Sequence, residues 1–316
     1  MSKYVPATQP TIYFIGVTTG SSSIMKVFPK WADALGLKDA VIKGMDFKPH
    51  SPAEEYREAV EFIKNDPMSL GALVTTHKID LYKSCEDLFE YIDPYAKQLG
   101  EVSSISKKDG MLCAHAKDPI SSGLALEAFV PKNYWTDYDG DVLILGAGGS
   151  ALAMSVYLTQ KKFGENVPSR IIIANRSQPR LDEAKRILGA IDTKTKFEFV
   201  LCPKPEDNDK ILGSLKPHSL VVNATGLGKD GPGSPITDAG QFPKDSCVWE
   251  LNYRVVYVND PIFEVQARAQ EKEKNLRVEA GWIYFIHGWT QVIAEVFHTP
   301  IEGEILDRLS EIAKQK

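Results

Sequence analysis

The sequence predicts an α/β protein built from two domains. Three observations carry that expectation. Apolar, β-rich runs alternate with helical stretches along the chain, the arrangement of βαβ units around mainly parallel sheets. Around residue 146 the run VLIL passes through GAGGSA into an apolar helix, a strand, glycine turn and helix in succession. The chain has 316 residues, and at about 150 residues per domain this supplies two cores without a disulfide or a metal to staple them.

The first strand is 11–17 (TIYFIGV), ending in Thr18, Thr19 and Gly20. Ser21, Ser22 and Ser23 follow, residue types suited to cap a helix that runs to about residue 37. Residues 40–47 form a second strand, and Ser51 caps a helix over 52–65. Residues 70–74 are a short buried strand leading into the loop 75–78. A helix or broken helix covers 81–97. Strands at 102–105 and 111–114 flank 107–110, a hairpin turn. A new helix covers 117–130, and the turn-rich stretch 131–140 is a junction. A second series then begins. Strands fall at 142–145, 170–174, 197–201, 220–223 and 248–251, and helices at 150–163 and 180–188. A loop rich in glycine and proline spans 229–235. Helices at 261–273, 282–297 and 301–314 close the chain. There is no short-period repeat and no low-complexity tract.

Composition excludes several classes. Hydrophobic residues are 43% and charged residues 25%, the balance of a globular protein rather than a disordered or fibrous one. The 37 basic and 42 acidic residues leave a net charge of −5, without the global basic field of a nucleic-acid binder. A local site for one phosphate is still allowed. Cys85, Cys113, Cys202 and Cys247 form no CxxC pair and have no metal-ligand spacing. They are expected to be buried thiols in a reducing, cytoplasmic setting, with no metal. Residues 1–10 are polar and lack the apolar stretch of a leader. Residues 142–160 carry no charge and approach the length of a membrane span, but Gly146, Gly148 and Gly149 divide them into strand, turn and helix. No membrane partner is expected, and the chain is read as a monomer or homodimer.

The glycine turn fits G-x-G-x-x-G/A. Gly146 makes the tight turn, Gly148 admits a pyrophosphate, and Ala151 lets the helix pack closely on the strand. Gly149 and Ser150 open the helix, whose free N–H groups and dipole favour phosphate. The next strand ends in Asn175, Arg176 and Ser177, with Arg180 just beyond. An acidic residue there would accept from the ribose of NAD; two arginines instead favour the extra phosphate of NADP. Asn223, Ala224 and Thr225 end another strand at the same sheet edge, small residues that suit a resting cofactor. Taken alone, they read equally as a plain tight turn.

In order along the chain, GAGGSA, NRSQPR and NATGLG resemble the GAGGxA, NRTxxR and NATPxG stretches of the shikimate dehydrogenase superfamily. Gly20–Ser21–Ser22–Ser23 is similar to its S-x-S loop. GALVTTHK, ending at Lys78, is similar to G-x-N-V-T-x-P-x-K shortened by one residue. Asp118 resembles the aspartate of N-T-D. The resemblance implies a substrate-binding α/β domain of residues 1–118 plus 281–316, a Rossmann NADP domain of residues 119–280, and a cleft between them. It implies reversible hydride transfer between nicotinamide and a ring alcohol or ketone of a small-molecule substrate.

Chemistry supports a Lys–Asp pair for that reaction. Oxidising an alcohol takes a proton from oxygen as hydride leaves carbon, so Lys78 can exchange the proton while Asp118 orients and tunes it. Read alone, Lys78 is a solvated loop lysine and Asp118 a helix N-cap. Ser21, Ser23 and Thr75 are candidate donors to the substrate. On the long late helix, Tyr284, His287, Gly288 and Gln291 share one face; the family's substrate glutamine falls on Gly288 by register and on Gln291 by face. There are departures. Ser103 replaces an asparagine, Ala116–Lys117 replace N-T, and His77 precedes Lys78 where the family has proline and one more residue. Retained redox machinery with an altered substrate, a related carbocyclic or polyol acid, is therefore expected. A non-catalytic NADP(H)-binding regulator or scaffold on the same fold is the alternative. Methylene-folate dehydrogenases fit the S-x-S loop and NRSxxR less well.

Overall fold

The computed structural model describes residues 3–37, 39–228, 231–252 and 261–314. The chain divides into two compact units, Met1–Lys117 with Gly288–Lys316, and Asp118–His287. The second unit is thus an insertion into the first. Its end falls at His287, inside a helix, seven residues beyond the boundary that the sequence suggests.

The first unit contains β1 (Thr11–Gly16), α1 (Ile24–Ala34), β2 (Val41–Asp46), α2 (Ala53–Asn65), β3 (Ser69–Val74), α3 (Lys78–Cys85), β4 (Tyr91–Ile92), α4 (Pro94–Leu99), β5 (Ser104–Lys108) and β6 (Met111–His115). The sheet order is β2-β1-β3-β5-β6-β4. β1 pairs in parallel with β2 and β3, whereas β5 is antiparallel to β3 and β6. Asp109 and Gly110, both at positive φ, make the β5–β6 hairpin turn, which matches the twist of the strands. Tyr13, Ile15, Tyr56, Ile63, Leu81 and Ile105 lie in its core.

Three local expectations are corrected here. Ser23 stands at the N-cap of α1, but its backbone is helical and its side chain makes no capping bond. Pro52, not Ser51, is the N-cap of α2. The stretch 81–97 is a helix end, a 3-10 turn, the short strand β4 and the start of α4. Asp93 imposes the last break by accepting from the Ala96 amide at 2.6 Å.

The second unit contains α5 (Asp118–Phe129), α6 (Tyr134–Asp137), β7 (Val142–Leu145), α7 (Gly149–Leu158), β8 (Arg170–Asn175), α8 (Gln178–Leu188), β9 (Lys196–Leu201), α9 (Pro205–Leu212), β10 (Leu220–Asn223), β11 (Cys247–Glu250), α10 (Ile262–Lys274) and β12 (Arg277–Glu279). α11 (Trp282–Val296) carries the chain back to the first unit, which α12 (Gly303–Lys314) completes. All pairings in the second sheet are parallel, in the order β12-β11-β10-β7-β8-β9. The order reverses between β7 and β10, the switch point where doubly wound sheets take their ligands. Every residue of β7 and β10 is buried, as parallel strands covered on both faces must be. Fully buried Asp141, just before β7, accepts from Arg170 Nε and Nη2 at 2.9 and 2.8 Å and from the Lys216 amide at 3.1 Å. The helices α6 and α9 and the strand β12 were not expected from sequence. Of the loop 229–235, Lys229 and Asp230 lie outside the described residues.

All four cysteines are buried free thiols. Burial pushes Cys85 up to about 12 and Cys202 up to about 11, which leaves them inert as nucleophiles. Among the described residues no helix is long and apolar enough to cross a membrane, and no group of three or more His, Cys, Asp or Glu is placed to hold a metal.

Candidate active site

In the second unit, three strand ends meet the predicted cofactor motifs. Gly146 follows β7 with φ +116°, a conformation closed to other residues. A Cβ on it would lie 2.7 Å from the Ala224 carbonyl oxygen, so the β7 and β10 turns touch at this point. Gly148 is different. Its backbone is ordinary extended chain, and a Cβ there would meet nothing within 4 Å. Open space therefore lies over the start of α7, where Gly149, Ser150 and Ala151 form the first turn. The Ser150 hydroxyl is 2.7 Å from the Tyr284 hydroxyl, so Tyr284, sought among substrate residues, sits at the head of α7.

At the end of β8, Asn175 accepts from the Ser177 amide at 3.1 Å and turns the chain into α8. Arg176 and Arg180 are exposed, and neither makes an ion pair among the described residues.

At the end of β10, Asn223 Oδ1 accepts from the Thr225 amide and hydroxyl at 3.1 and 2.6 Å. Behind it lies Glu250, which the sequence reading did not single out. It is fully buried at the end of β11, and its carboxylate accepts from Asn223 Nδ2 at 2.7 Å and from the amide and Nδ2 of Asn252 at 2.7 and 2.8 Å. Burial pushes it up to about 7 against those donors.

In the first unit, the carboxyl ends of β1, β3 and β6 and the amino end of β5 lie on one sheet edge. Asp46 accepts from the Thr19 amide and hydroxyl at 2.8 and 2.6 Å and so anchors the start of the serine loop. Ser21 donates to the Thr18 carbonyl at 2.9 Å, while the half-buried Ser23 hydroxyl has no bond among the described residues. The Thr75 amide and hydroxyl donate to the Ile15 carbonyl at 3.0 and 3.3 Å. His77 is fully buried, with Nδ1 2.8 Å from the Tyr56 hydroxyl and its ring against Phe47. Burial lowers its pKa and keeps the imidazole neutral. Lys78 then opens α3, half-buried, its carbonyl accepting from the Val102 amide at 3.1 Å.

Ser103 is engaged by the chain itself. Its hydroxyl accepts from the Lys117 amide at 2.7 Å and donates to the His115 carbonyl at 3.4 Å. Lys117 Nζ lies 2.5 Å from Glu295 Oε2, and His115 Nε2 lies 3.3 Å from the other oxygen. Burial raises the Glu295 pKa, but the Lys117 bond and the His115 and Lys117 charges outweigh it and hold the carboxyl low. Glu295 was missed in the sequence, although it stands one turn after Gln291 on the polar face of α11. Gln291 itself is half-buried and makes no side-chain bond among the described residues. His287 is buried, which lowers its pKa. The structure thus gathers Thr75, Lys78, Ser103 and Lys117 along one edge. Asp118 follows Lys117 directly as the first residue of α5, nearly buried, its carbonyl accepting from Ser121 and Ser122 at 3.3 and 2.6 Å.

A doubly wound sheet with a glycine turn at its switch point, inserted in a second α/β unit, defines a class of two-unit α/β proteins of the dinucleotide-binding type. No model of a known protein family matches the chain. Among curated proteins it is 30% identical over 226 residues to the NADP(+) shikimate dehydrogenase of Streptococcus thermophilus, 70% of this chain and 71% of that one. It is 32% identical over 232 residues to that of Bacillus thuringiensis, 73% of each chain. The chain belongs to the shikimate dehydrogenase family. Solved structures carry the same fold. A Thermus thermophilus shikimate 5-dehydrogenase in complex with NADP(H) and shikimate has a TM-score of 0.70 at 18% identity, covering 96% of this chain and 98% of that one. A 5-ketofructose reductase of Gluconobacter has a TM-score of 0.69 at 17% identity, with the same coverages.

Proposed function

We propose that the protein is an NADP-dependent oxidoreductase acting reversibly on a ring hydroxyl or ketone of a shikimate-like cyclic hydroxy acid or polyol. The observation that carries this reading is that Arg176 and Arg180, both without an ion pair among the described residues, stand beside a strand end that offers no carboxylate. Carboxylate at that position would repel a ribose phosphate, and guanidinium pairs with it. The space over Gly148 and the free amides of Gly149, Ser150 and Ala151 fit a pyrophosphate. Asn223, Ala224 and Thr225 fit the wall beside it. When bound, NADP would supply and take up the hydride.

The chain's own residues would handle protons and orientation. Lys78 exchanges the proton with the reacting oxygen, and Asp118 orients the lysine and the substrate hydroxyl. Ser21, Ser23, Thr75 and Gln291 offer hydrogen bonds to substrate. The Ser103 hydroxyl is spent on the backbone and Lys117 on Glu295, so two positions that read substrate in the family's motifs are altered here. A substrate other than shikimate follows. The fold of the Gluconobacter reductase, named for a keto sugar, is in keeping with such a shift.

The test is NADPH binding by calorimetry, then the nicotinamide absorbance band with shikimate, quinate and a panel of cyclic polyols. Lys78→Ala is expected to lower turnover by roughly 10²–10⁴-fold while NADPH still binds. Unchanged turnover removes Lys78 from the mechanism. Cofactor binding without turnover across the panel favours the regulator.

A further inference from the structure

Glu250 is a carboxylate at full burial with no ion pair among the described residues. Burying a charge without a cation is costly, and the cost is normally met by hydrogen bonds or by taking up a proton. Here three N–H groups converge on it, and two of them, the side-chain amides of Asn223 and Asn252, lead back to the turn after β10. The Thr225 amide can only donate, so it fixes Asn223 Oδ1 as acceptor and turns Asn223 Nδ2 toward Glu250. Asn252 bridges the other carboxylate oxygen to the Leu227 carbonyl, with Nδ2 2.8 Å from Glu250 Oε1 and 2.9 Å from Leu227. The Leu227 amide in turn donates to the Thr225 hydroxyl at 3.3 Å. The carboxylate therefore holds residues 223–227 from both ends. Ala224 in that turn is the residue that meets Gly146.

We propose that Glu250 is a positioning residue of the cofactor site, its ionised carboxylate clamping the Asn223–Leu227 turn against the glycine loop through Asn223 and Asn252. The inference rests on the dinucleotide reading of that crevice. Every partner of the carboxylate is a donor, so an acceptor is needed at both oxygens. A proton on either oxygen removes its negative charge and turns one of its acceptor sites into a donor facing N–H groups, which weakens the hold on that end of the turn. Among the described residues the neighbouring charges are few. Glu264 on α10 raises the Glu250 pKa, but is itself paired with Arg268 at 2.8 Å. Glu279 on β12 is half-buried, with its own pKa raised by burial. With the carboxyl pushed up to about 7, the clamp opens within the range of ordinary buffers.

The experiment measures NADPH affinity from pH 6 to pH 8 for the wild type and for Glu250→Gln, which keeps the shape but places an amide N–H where an acceptor is needed. The ribose phosphate titrates in both proteins, so the ratio of their affinities isolates Glu250. If only the ionised form holds the turn, the wild-type advantage grows about tenfold between pH 6 and pH 8, following the ionised fraction. A ratio that stays flat across this range overturns the proposal. Wild type that fails to bind NADPH at every pH overturns the cofactor reading instead. Should the variant fail to fold, hydrogen exchange of wild-type residues 220–228, corrected for intrinsic rates, decides the question. Loss of protection at pH 6 relative to pH 8 supports the clamp, and equal protection refutes it.

Discussion

Two glycines in one turn make opposite demands, and alanine substitution separates them. Gly146 has φ +116°, and an added Cβ would sit 2.7 Å from the Ala224 oxygen and 2.9 Å from its carbon. Backbone strain of about 1–3 kcal/mol adds to an overpacking cost of about 1–3 kcal/mol. For a chain of this size the sum corresponds to a fall in melting temperature of roughly 3–9 °C. Gly148 has an extended backbone and empty space where its Cβ would go. Gly148→Ala restricts the unfolded chain and is worth about +0.4 to +1 kcal/mol in stability. Its methyl, however, fills the approach to the α7 amides, and NADPH affinity is expected to fall by at least about tenfold, or about 1.4 kcal/mol. The assays are thermal unfolding and fluorescence titration with NADPH. A Gly148→Ala protein that is stable and binds NADPH like the wild type would refute the assignment of this turn to a pyrophosphate.

Other outcomes follow from the same geometry. Replacing both Arg176 and Arg180 with alanine should weaken NADPH binding by about tenfold or more, since a charge-assisted bond is worth about 1.5–3 kcal/mol. It should leave NADH binding and the melting temperature unchanged; parallel losses for both cofactors would count against the phosphate role. Asp141→Ala takes the buried acceptor from the Lys216 amide and from the Arg170 guanidinium, which keeps only Glu198 at 3.6 Å. With Arg170 partly exposed and Glu198 still beside it, the change should cost about 1–3 kcal/mol in denaturant unfolding, and no measurable loss would contradict the role given to Asp141. The raised Glu250 pKa also has a stability sign. Both states are protonated below the unfolded value of 4.5, and only the unfolded state releases the proton between there and about 7. Stability from this group is therefore full at low pH and falls as pH rises, by about 3 kcal/mol in all. Wild-type stability should fall by that amount relative to Glu250→Gln over that interval and then stay level, as measured by urea titration at each pH.

Much of the fold was legible because strong patterns were local. VLIL is too apolar for anything but a strand buried on both faces, and the glycines after it admit a single kind of turn. The paired motifs at 175–180 and 223–228 stand at strand ends for the same reason. Short edges were not legible. β4 has two residues and β12 three, too few for any period to register, and each exists because β6 or β11 offers it a partner. Ser23 shows the limit of residue preference, since a serine at an N-cap caps nothing when its backbone is already helical. Lys117 and Glu295 are 178 residues apart, a pairing that no spacing rule anticipates. One more turn along the polar face of α11 would have found Glu295. Glu250 lies inside the strand read at 248–251 with no spacing that singles it out, and it is its partner on β10 that shows its role.

The insertion of one unit within the other governs the order in which this chain can mature. Trp31 is fully buried, and its indole N–H donates to the Leu309 carbonyl on α12. Phe14 meets Trp289 edge-on at 5.1 Å, and Phe28 lies 6.1 Å from Phe297. During synthesis the partners of these aromatics follow the whole of the inserted unit, a delay of roughly 10–30 s at ribosomal speed. The core between residues 13 and 114 is complete before the inserted unit is made, but the face that carries Phe14, Phe28 and Trp31 waits for its cover until α11 and α12 emerge. Biosynthetic yield then depends on keeping an unfinished amino-terminal sheet from associating in the interval.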